Sequence, residues 1–285
     1  MPELPEVEAT ARLLSAALAG ARIESVLAPG INALRTVDPP LDALVGRTIE
    51  GVTRRGKVLV VEISGGLALA MHMMSAGRVQ LYERVAGPRD RTSRLLVRVL
   101  TPAGESLELR LREFGKRQAA WVKLLTDEAL EEAEAIAGLG PEAWPDTPDL
   151  REMLASPRPL HSLLRDRRVI AGIGRAWADE ILWQALLSPF KRGADLTEAQ
   201  STRLREAINE KLGGALAFYE RELSLPIPDK LPMPLEVHGR EGEACPRCGQ
   251  ELRAVHFEDY VIAYCPTCQT EGRVLKDRRM SRILR

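Results

Sequence analysis

The chain has 285 residues, enough for two domains with separate cores. Hydrophobic residues make up 45% of it, yet no apolar run approaches twenty residues, which excludes a helical membrane span. Lysine and arginine total 40 against 40 aspartate and glutamate residues, so a uniformly basic surface is excluded as well, and any polyanionic partner must be met by local patches.

The chain opens Met1-Pro2-Glu3-Leu4-Pro5-Glu6. Met1 precedes a small residue and is expected to be trimmed, leaving Pro2 as a secondary α-amine. Such a group titrates near pH ~8, against ~10.4 for lysine, so an appreciable fraction is an uncharged nucleophile at neutral pH. Attack on an aldehyde-like carbon gives an iminium ion, and Glu3 stands beside it to move protons. Pro5 suits a first helical turn, and Val7, Ala11, Leu14 and Leu18 mark one face of a helix that ends at Gly20. The helix dipole then favours ionised Glu3 and Glu6 beside the amine. These six residues alone also fit an ordinary buried N-terminus with a proline-rich turn.

Lys57 to Ile63 reads as a strand, Ser64-Gly65-Gly66 as a turn and Leu67 to Met73 as the partner strand. Leu107, Leu109 and Leu111 alternate with Glu108, Arg110 and Arg112, which predicts one buried and one polar face. Several such strands suggest a two-sheet sandwich. From about Thr126 the pattern becomes helical, over 127–136, 149–155, 160–166, 174–187 and 197–218, with Thr197 and Gln200 forming a capping box. Five carboxylates between Asp127 and Glu134 belong on a solvated face. Four arginines from Arg165 to Arg175 and six basic residues from Arg273 to Arg285 suit phosphate contact. Pro226 to Pro234 holds four prolines in nine residues, a linker or an ordered loop.

Cys245-Pro-Arg-Cys248 and Cys265-Pro-Thr-Cys268 are two CxxC knuckles separated by sixteen residues. Four thiolates at that spacing form a closed tetrahedral site with no position left for water, the structural zinc pattern. Leu252, Val255, Phe257, Val261 and Ile262 between them suit a β-hairpin that depends on the metal. Disulfides are the alternative, disfavoured because no secretory signal is evident. The expected fold class is α+β: a two-sheet β-sandwich preceded by a helix (1–125), a helical domain (126–225), and a four-cysteine finger with a basic tail (236–285).

With both ends read, the chain resembles the formamidopyrimidine-DNA glycosylase family, which also contains endonuclease VIII. The resemblance rests on Pro2 to Glu8, Arg54-Arg55-Gly56-Lys57, His72 to Gly77, Arg112-Glu113-Phe114-Gly115, Gly138 to Glu142, Val169 to Ile181, Val237 to Cys248 and Cys265 to Gln269. It implies a helix-two-turn-helix in the helical domain and one structural Zn2+ on Cys245, Cys248, Cys265 and Cys268. It also implies a Schiff-base nucleophile at Pro2, with Glu3 acting on the sugar ring oxygen, Glu6 supporting the site and Lys57 on the DNA backbone at the lesion. His72, Met74, Arg112, Phe114, Arg175, Tyr260 and Arg273 are the expected DNA-contacting residues. An extruded base leaves a hole in the stack that side chains must fill; the family uses a Met, an Arg and a Phe. Arg112 and Phe114 match, but Ser75 stands at the usual methionine, so Met74 would serve one residue early unless Met71, Met73 and Met74 are plain sheet core.

Two further positions depart from the family. Arg175 replaces the asparagine that ends the Gly-rich turn, and Tyr260 replaces the finger arginine, which Arg273 could substitute; Tyr260 would then stack on a base or pack the hairpin. The resemblance implies a bifunctional DNA glycosylase and abasic-site lyase of base-excision repair, acting on double-stranded DNA as a monomer by β,δ-elimination. Oxidised purines are favoured through Leu4 and Val7. The alternatives are an endonuclease VIII-like preference for oxidised pyrimidines and a non-catalytic binder of abasic or damaged DNA. The expected location is the bacterial cytoplasm, at the nucleoid, with no membrane association.

Overall fold

Alternating apolar residues turn the first half of the chain into eight strands: β1 (Arg22–Leu27), β2 (Ile49–Arg55), β3 (Val58–Ile63), β4 (Leu67–His72), β5 (Gly77–Tyr82), β6 (Ser93–Leu100), β7 (Ser106–Glu113) and β8 (Trp121–Thr126). The computed structural model describes residues 2–30, 32–86, 90–114, 118–257 and 260–276; Met1 and the basic tail from residue 277 onward lie outside them. Two antiparallel four-stranded sheets form, ordered β1-β6-β7-β5 and β2-β3-β4-β8. Helix α1 (Leu4–Leu18) supplies Val7, Leu14 and Leu18 to a core that also takes Leu59, Val61 and Leu69 from one sheet and Val97, Leu109 and Leu111 from the other. Each such side chain is worth about 1.5–3 kcal/mol when fully buried, so this shared core holds the sandwich together.

The second sheet is apolar on its outer face as well. Val58, Val60, Ala68, Ala70 and Trp121 pack there with Leu130 and Ile136. The continuous helix expected over 127–136 is instead two pieces, α2 (Asp127–Glu132) and α3 (Glu134–Ala137), separated by Ala133 in an extended conformation at φ −62°, ψ 131°. Residues six apart on one helix point to different faces, and the break lets Leu130 and Ile136 enter the same cluster. Like-charged glutamates at helical spacing also weaken a single helix here. The polar face expected on β7 is itself covered: Glu108 is 6% and Arg110 8% exposed. Arg110 Nε donates to Glu108 at 2.6 Å, and its guanidinium lies 4.1 Å from the Tyr82 ring centre.

Further along come α4 (Leu150–Met153), capped by Asp149, α5 (Leu160–Leu164), α6 (Arg175–Gln184) and α7 (Glu198–Glu222). The capping box before α7 is formed: Thr197 N–H donates to Gln200 Oε1 at 3.1 Å and Gln200 N–H to Thr197 Oγ1 at 3.3 Å. The finger consists of β9 (Arg253–His256), β10 (Val261–Tyr264) and α8 (Pro266–Thr270), with Ile262 opposite Val255. Two compact units result. One runs to Gly138 and includes Leu216–Pro232; the other comprises Leu139–Ala215 and the residues from Met233 on. Among the described residues no helix is long and apolar enough to cross a membrane.

Candidate functional site

The N-terminus of α1 is built around two buried carboxylates. Pro2 is buried, Glu3 is 3% and Glu6 1% exposed. Glu6 uses both oxygens: Oε2 accepts from the Glu3 backbone N–H at 2.8 Å and Oε1 from the Tyr219 hydroxyl at 2.7 Å. Burial, followed by the neighbouring Glu6 and then Glu3 carboxylates, raises the Tyr219 phenol far above its usual range. Arg78 stands nearby. Burial lowers its pKa, and the Glu6 and Asp229 carboxylates and Tyr219 act in the opposite sense. Two donors thus fix the Glu6 carboxylate in the first turn of α1.

Register brings the other sequence-predicted residues of this unit to matching sheet ends. β2 and β3 are joined by the two-residue turn Gly56-Lys57, since Arg55 pairs with Val58. Lys57 therefore sits in the turn, one residue before the strand expected to contain it. Gly56 takes the left-handed conformation at φ 56°. Arg54 Nε donates to Glu8 of α1 at 2.8 Å, which ties this turn to the first half of the helix. His72 ends β4 opposite Val58 and stacks on Trp121 at 5.7 Å. The chain then turns sharply into β5: Gly77 N–H donates to Met73 at 2.8 Å, and a Cβ on Gly77 would come within 2.3 Å of the Met73 carbonyl oxygen. Met74 lies in this turn at φ 50°, an uncommon conformation for a non-glycine residue, with its N–H on His72 Nδ1 at 3.0 Å. Met71 and Met73 are core, whereas Met74 is half-buried and Ser75 exposed. β5 pairs Gly77 with Glu113 and Arg78 with Arg112, and Phe114 N–H donates to Ala76 at 3.1 Å. Met74, Arg112 and Phe114 are thus assembled around one turn. The Arg112 guanidinium stands 4.7 Å from the Phe114 ring centre.

In the second unit, Gly172 at φ 100° and Gly174 lead into α6, which begins at Arg175. Tyr260 is the meeting point of several side chains. It stacks on Phe257 at 4.5 Å with the rings 3° apart, while Arg165 and Arg175 lie 4.5 and 5.1 Å from its centre. Asp166 binds Arg168 at 3.2 Å and Arg158 at 2.9 Å, so part of the basic run is neutralised internally. Those bonds, that to Arg168 foremost, hold the Asp166 carboxyl down at about 2 against the opposing effect of burial. Arg273 is exposed and lies 3.3 Å from Glu271.

The four cysteine sulfurs lie within 4.8 Å of one another. Cys248 and Cys265 are 3.5 Å apart and Cys245 and Cys268 4.0 Å. A tetrahedral ion at about 2.3 Å from each sulfur requires edges of about 3.8 Å, so the donor set fits a metal. The Trp183 indole donates to Cys245 at 3.4 Å. Helix α6 also braces the segment leading to the finger: Glu180 Oε1 accepts the N–H groups of Glu236, Val237 and His238 at 3.0, 2.8 and 2.9 Å, and Asp179 Oδ2 accepts that of Ala263 at 3.0 Å.

Sequence reasoning missed Tyr219, Arg78, Asp179 and the supporting role of Glu180. Tyr219 lies 213 positions from its partner Glu6, and no local pattern announces such a pairing. The available signal was indirect, since a buried Glu6 needs donors.

Residues 1–117 match the model of the formamidopyrimidine-DNA glycosylase N-terminal domain and residues 128–225 that of its H2TH domain. The formamidopyrimidine-DNA glycosylase of Thermus thermophilus is 34% identical, covering 95% of this chain and 100% of the relative. Two solved structures of the Lactococcus lactis enzyme, one with DNA containing N7-benzyl-Fapy-dG and one with DNA containing an oxidised pyrimidine, superpose with TM-scores of 0.83 and 0.82. Each is 28% identical and covers 94% of this chain and 100% of its own. The chain belongs to the formamidopyrimidine-DNA glycosylase family.

Proposed function

We propose that the chain is a bifunctional base-excision DNA glycosylase and abasic-site lyase that uses Pro2 as its nucleophile. The observation that carries this reading is the buried Glu3–Glu6 pair at the N-terminus of α1, fixed by Tyr219 beside the residue whose nitrogen becomes a secondary amine once Met1 is removed. In this reading the Pro2 nitrogen bonds to the sugar C1′ as the glycosidic bond breaks and the damaged base departs. Glu3 takes the proton that the Pro2 nitrogen loses on attack and passes it to the ring oxygen as the C1′–oxygen bond opens, which leaves an iminium ion, while the departing base is protonated by solvent. That ion acidifies C2′; loss of the C2′ proton expels the 3′ phosphate, and a second elimination expels the 5′ phosphate. Glu6, with both oxygens engaged, holds the helix end rather than reacting.

Lys57 and His72 approach the lesion backbone, and Met74, Arg112 and Phe114 fill the hole in the stack. The loop 224–235 covers the extruded base. Arg175, Tyr260 and Arg273 face the duplex, with Tyr260 orienting Arg165 and Arg175. Residues 1–125 carry the chemistry, and 126–225 and 236–285 the grip. Cys245, Cys248, Cys265 and Cys268 hold one zinc ion, which braces the finger and takes no part in the reaction. The partner is double-stranded DNA met by a single chain, at the bacterial nucleoid. Oxidised purines are the proposed substrates.

A panel of duplexes, each carrying one 8-oxoguanine, formamidopyrimidine, oxidised pyrimidine or abasic site, tests this. Preferential excision of the purine lesions is expected. Faster release of oxidised pyrimidines would move the chain to the endonuclease VIII branch, and binding without cleavage of any duplex would make it a damage-binding protein.

A further inference from the structure

The segment after α7 is fastened to β5 by a polar joint. Gln80 is 2% exposed and spends its whole amide on it: Nε2 donates to the Ile227 carbonyl at 2.5 Å and to Asp229 Oδ1 at 2.8 Å, and Oε1 accepts from the Tyr82 hydroxyl at 2.9 Å. Arg112 enters the same joint from β7. Its Nη1 donates to the Tyr82 hydroxyl at 2.8 Å and lies 3.4 Å from Asp229 Oδ1, and its Nε donates to Thr92 Oγ1 at 2.9 Å. Among the described residues these bonds engage Nε and Nη1 of Arg112, which leaves the Nη2 amino group available while the rest of the guanidinium is held.

Asp229 is 57% exposed at its side chain. An exposed carboxylate on a loop that meets a polyanion is repelled by phosphate, so its place there calls for positive partners; Arg112 makes the ion pair, and Arg78 also feels the Asp229 charge. A buried amide with every group satisfied makes the joint geometrically specific.

We propose that Asp229 is a positioning residue that couples closure of the loop over the extruded base to the orientation of Arg112 in the vacated stack. This rests on the reading above that Arg112 fills the hole and that the loop covers the base. When the loop closes on Gln80, the Asp229 carboxylate fixes Nη1 of the guanidinium and leaves Nη2 directed outward. Closure and filling then succeed or fail together.

The test is a double-mutant cycle of Asp229→Ala and Arg112→Ala. It is read as single-turnover excision of an intact lesion at saturating enzyme, with cleavage of a ready-made abasic site measured in parallel. Asp229→Ala is expected to slow excision about tenfold, several-fold more than it slows abasic-site cleavage, and to have little further effect once Arg112 is alanine, since contacting residues are non-additive. Multiplying effects would overturn the coupling, because Asp229 would then act on its own, as would equal slowing of both reactions or normal excision by Asp229→Ala. Arg112→Ala excising at the wild-type rate would instead refute the assignment of Arg112 to the hole, a separate failure. Thermal midpoints of the variants identify any loss that comes from unfolding.

Discussion

Tyr219 donates to Oε1 of a carboxylate that is 1% exposed, while the Glu3 N–H serves the other oxygen. Tyr219→Phe should lower stability by about 1.5–3 kcal/mol, the range for a hydrogen bond to a charged group, read from urea unfolding; no change would mean that Glu6 finds another donor. Asp166 offers a pH test. Its carboxyl is held at about 2 by Arg168 and Arg158, below the ~3.9 of an unfolded aspartate. A depressed folded value contributes stability that is complete above the unfolded pKa and disappears as pH falls through the folded one. Asp166→Asn should therefore lower the thermal midpoint at pH 7, and the gap to wild type should close between about pH 4 and pH 2. A gap that persists below pH 2 would assign the effect to shape rather than charge. Pro2, Glu3 and Glu6 could be proposed from six adjacent residues, and Lys57 only through the family resemblance. Tyr219, Arg78 and Asp229 could not, because only the folded chain brings them to Glu6 and Arg112.

Strands and the finger were easier to read than helix ends. Period-two alternation and the CxxC spacing announce β3, β4, β7 and the four-sulfur cluster, whereas the break at Ala133 arises from two apolar residues competing for one cluster. The covered polar face of β7 was also hidden, since the Glu108–Arg110 pair makes burial of charge tolerable. The finger carries a metal prediction. One zinc per chain should be found, and Cys245→Ser should release it and weaken DNA binding while the far-ultraviolet signature of the sheets persists; protein prepared without chelators that contains no zinc would contradict this. At the tip, Tyr260 serves two guanidinium groups at once, a cation–π contribution of about 0.5–1 kcal/mol each. Arg175→Ala should reduce the dependence of log affinity on log salt by about one unit. Tyr260→Ala should weaken binding and Tyr260→Phe should not. If Tyr260→Ala leaves binding intact, the ring only packs the hairpin.

Across the whole molecule, a formal net charge of zero conceals segregation of the charges. Acidic residues collect on α2 and α3, basic ones ahead of α6 and toward the C-terminus of the sequence, so in the proposed reading local patches rather than net charge would meet the phosphates. Composition alone would have argued against a nucleic-acid enzyme; the ordered combination of an N-terminal proline, the Arg-Gly-Lys turn and the finger argued for one. The amine, its carboxylates and Lys57 all belong to the first unit, while the departures at Arg175 and Tyr260 belong to the second. Cleavage at a ready-made abasic site should accordingly be better preserved than excision of an intact base, with the second elimination weaker than the first. Gel analysis of the two substrates in parallel checks both points, and faster excision than abasic-site cleavage would contradict them.

The proposed chemistry begins at the nitrogen of Pro2. Borohydride added during reaction with abasic-site DNA reduces an iminium ion to a stable amine, and mass spectrometry of the digested adduct locates the bond. The adduct should lie on Pro2, and a protein that keeps one residue ahead of Pro2 should give none. An adduct on Lys57, or equal capture by the extended protein, would contradict the assignment of Pro2 as nucleophile.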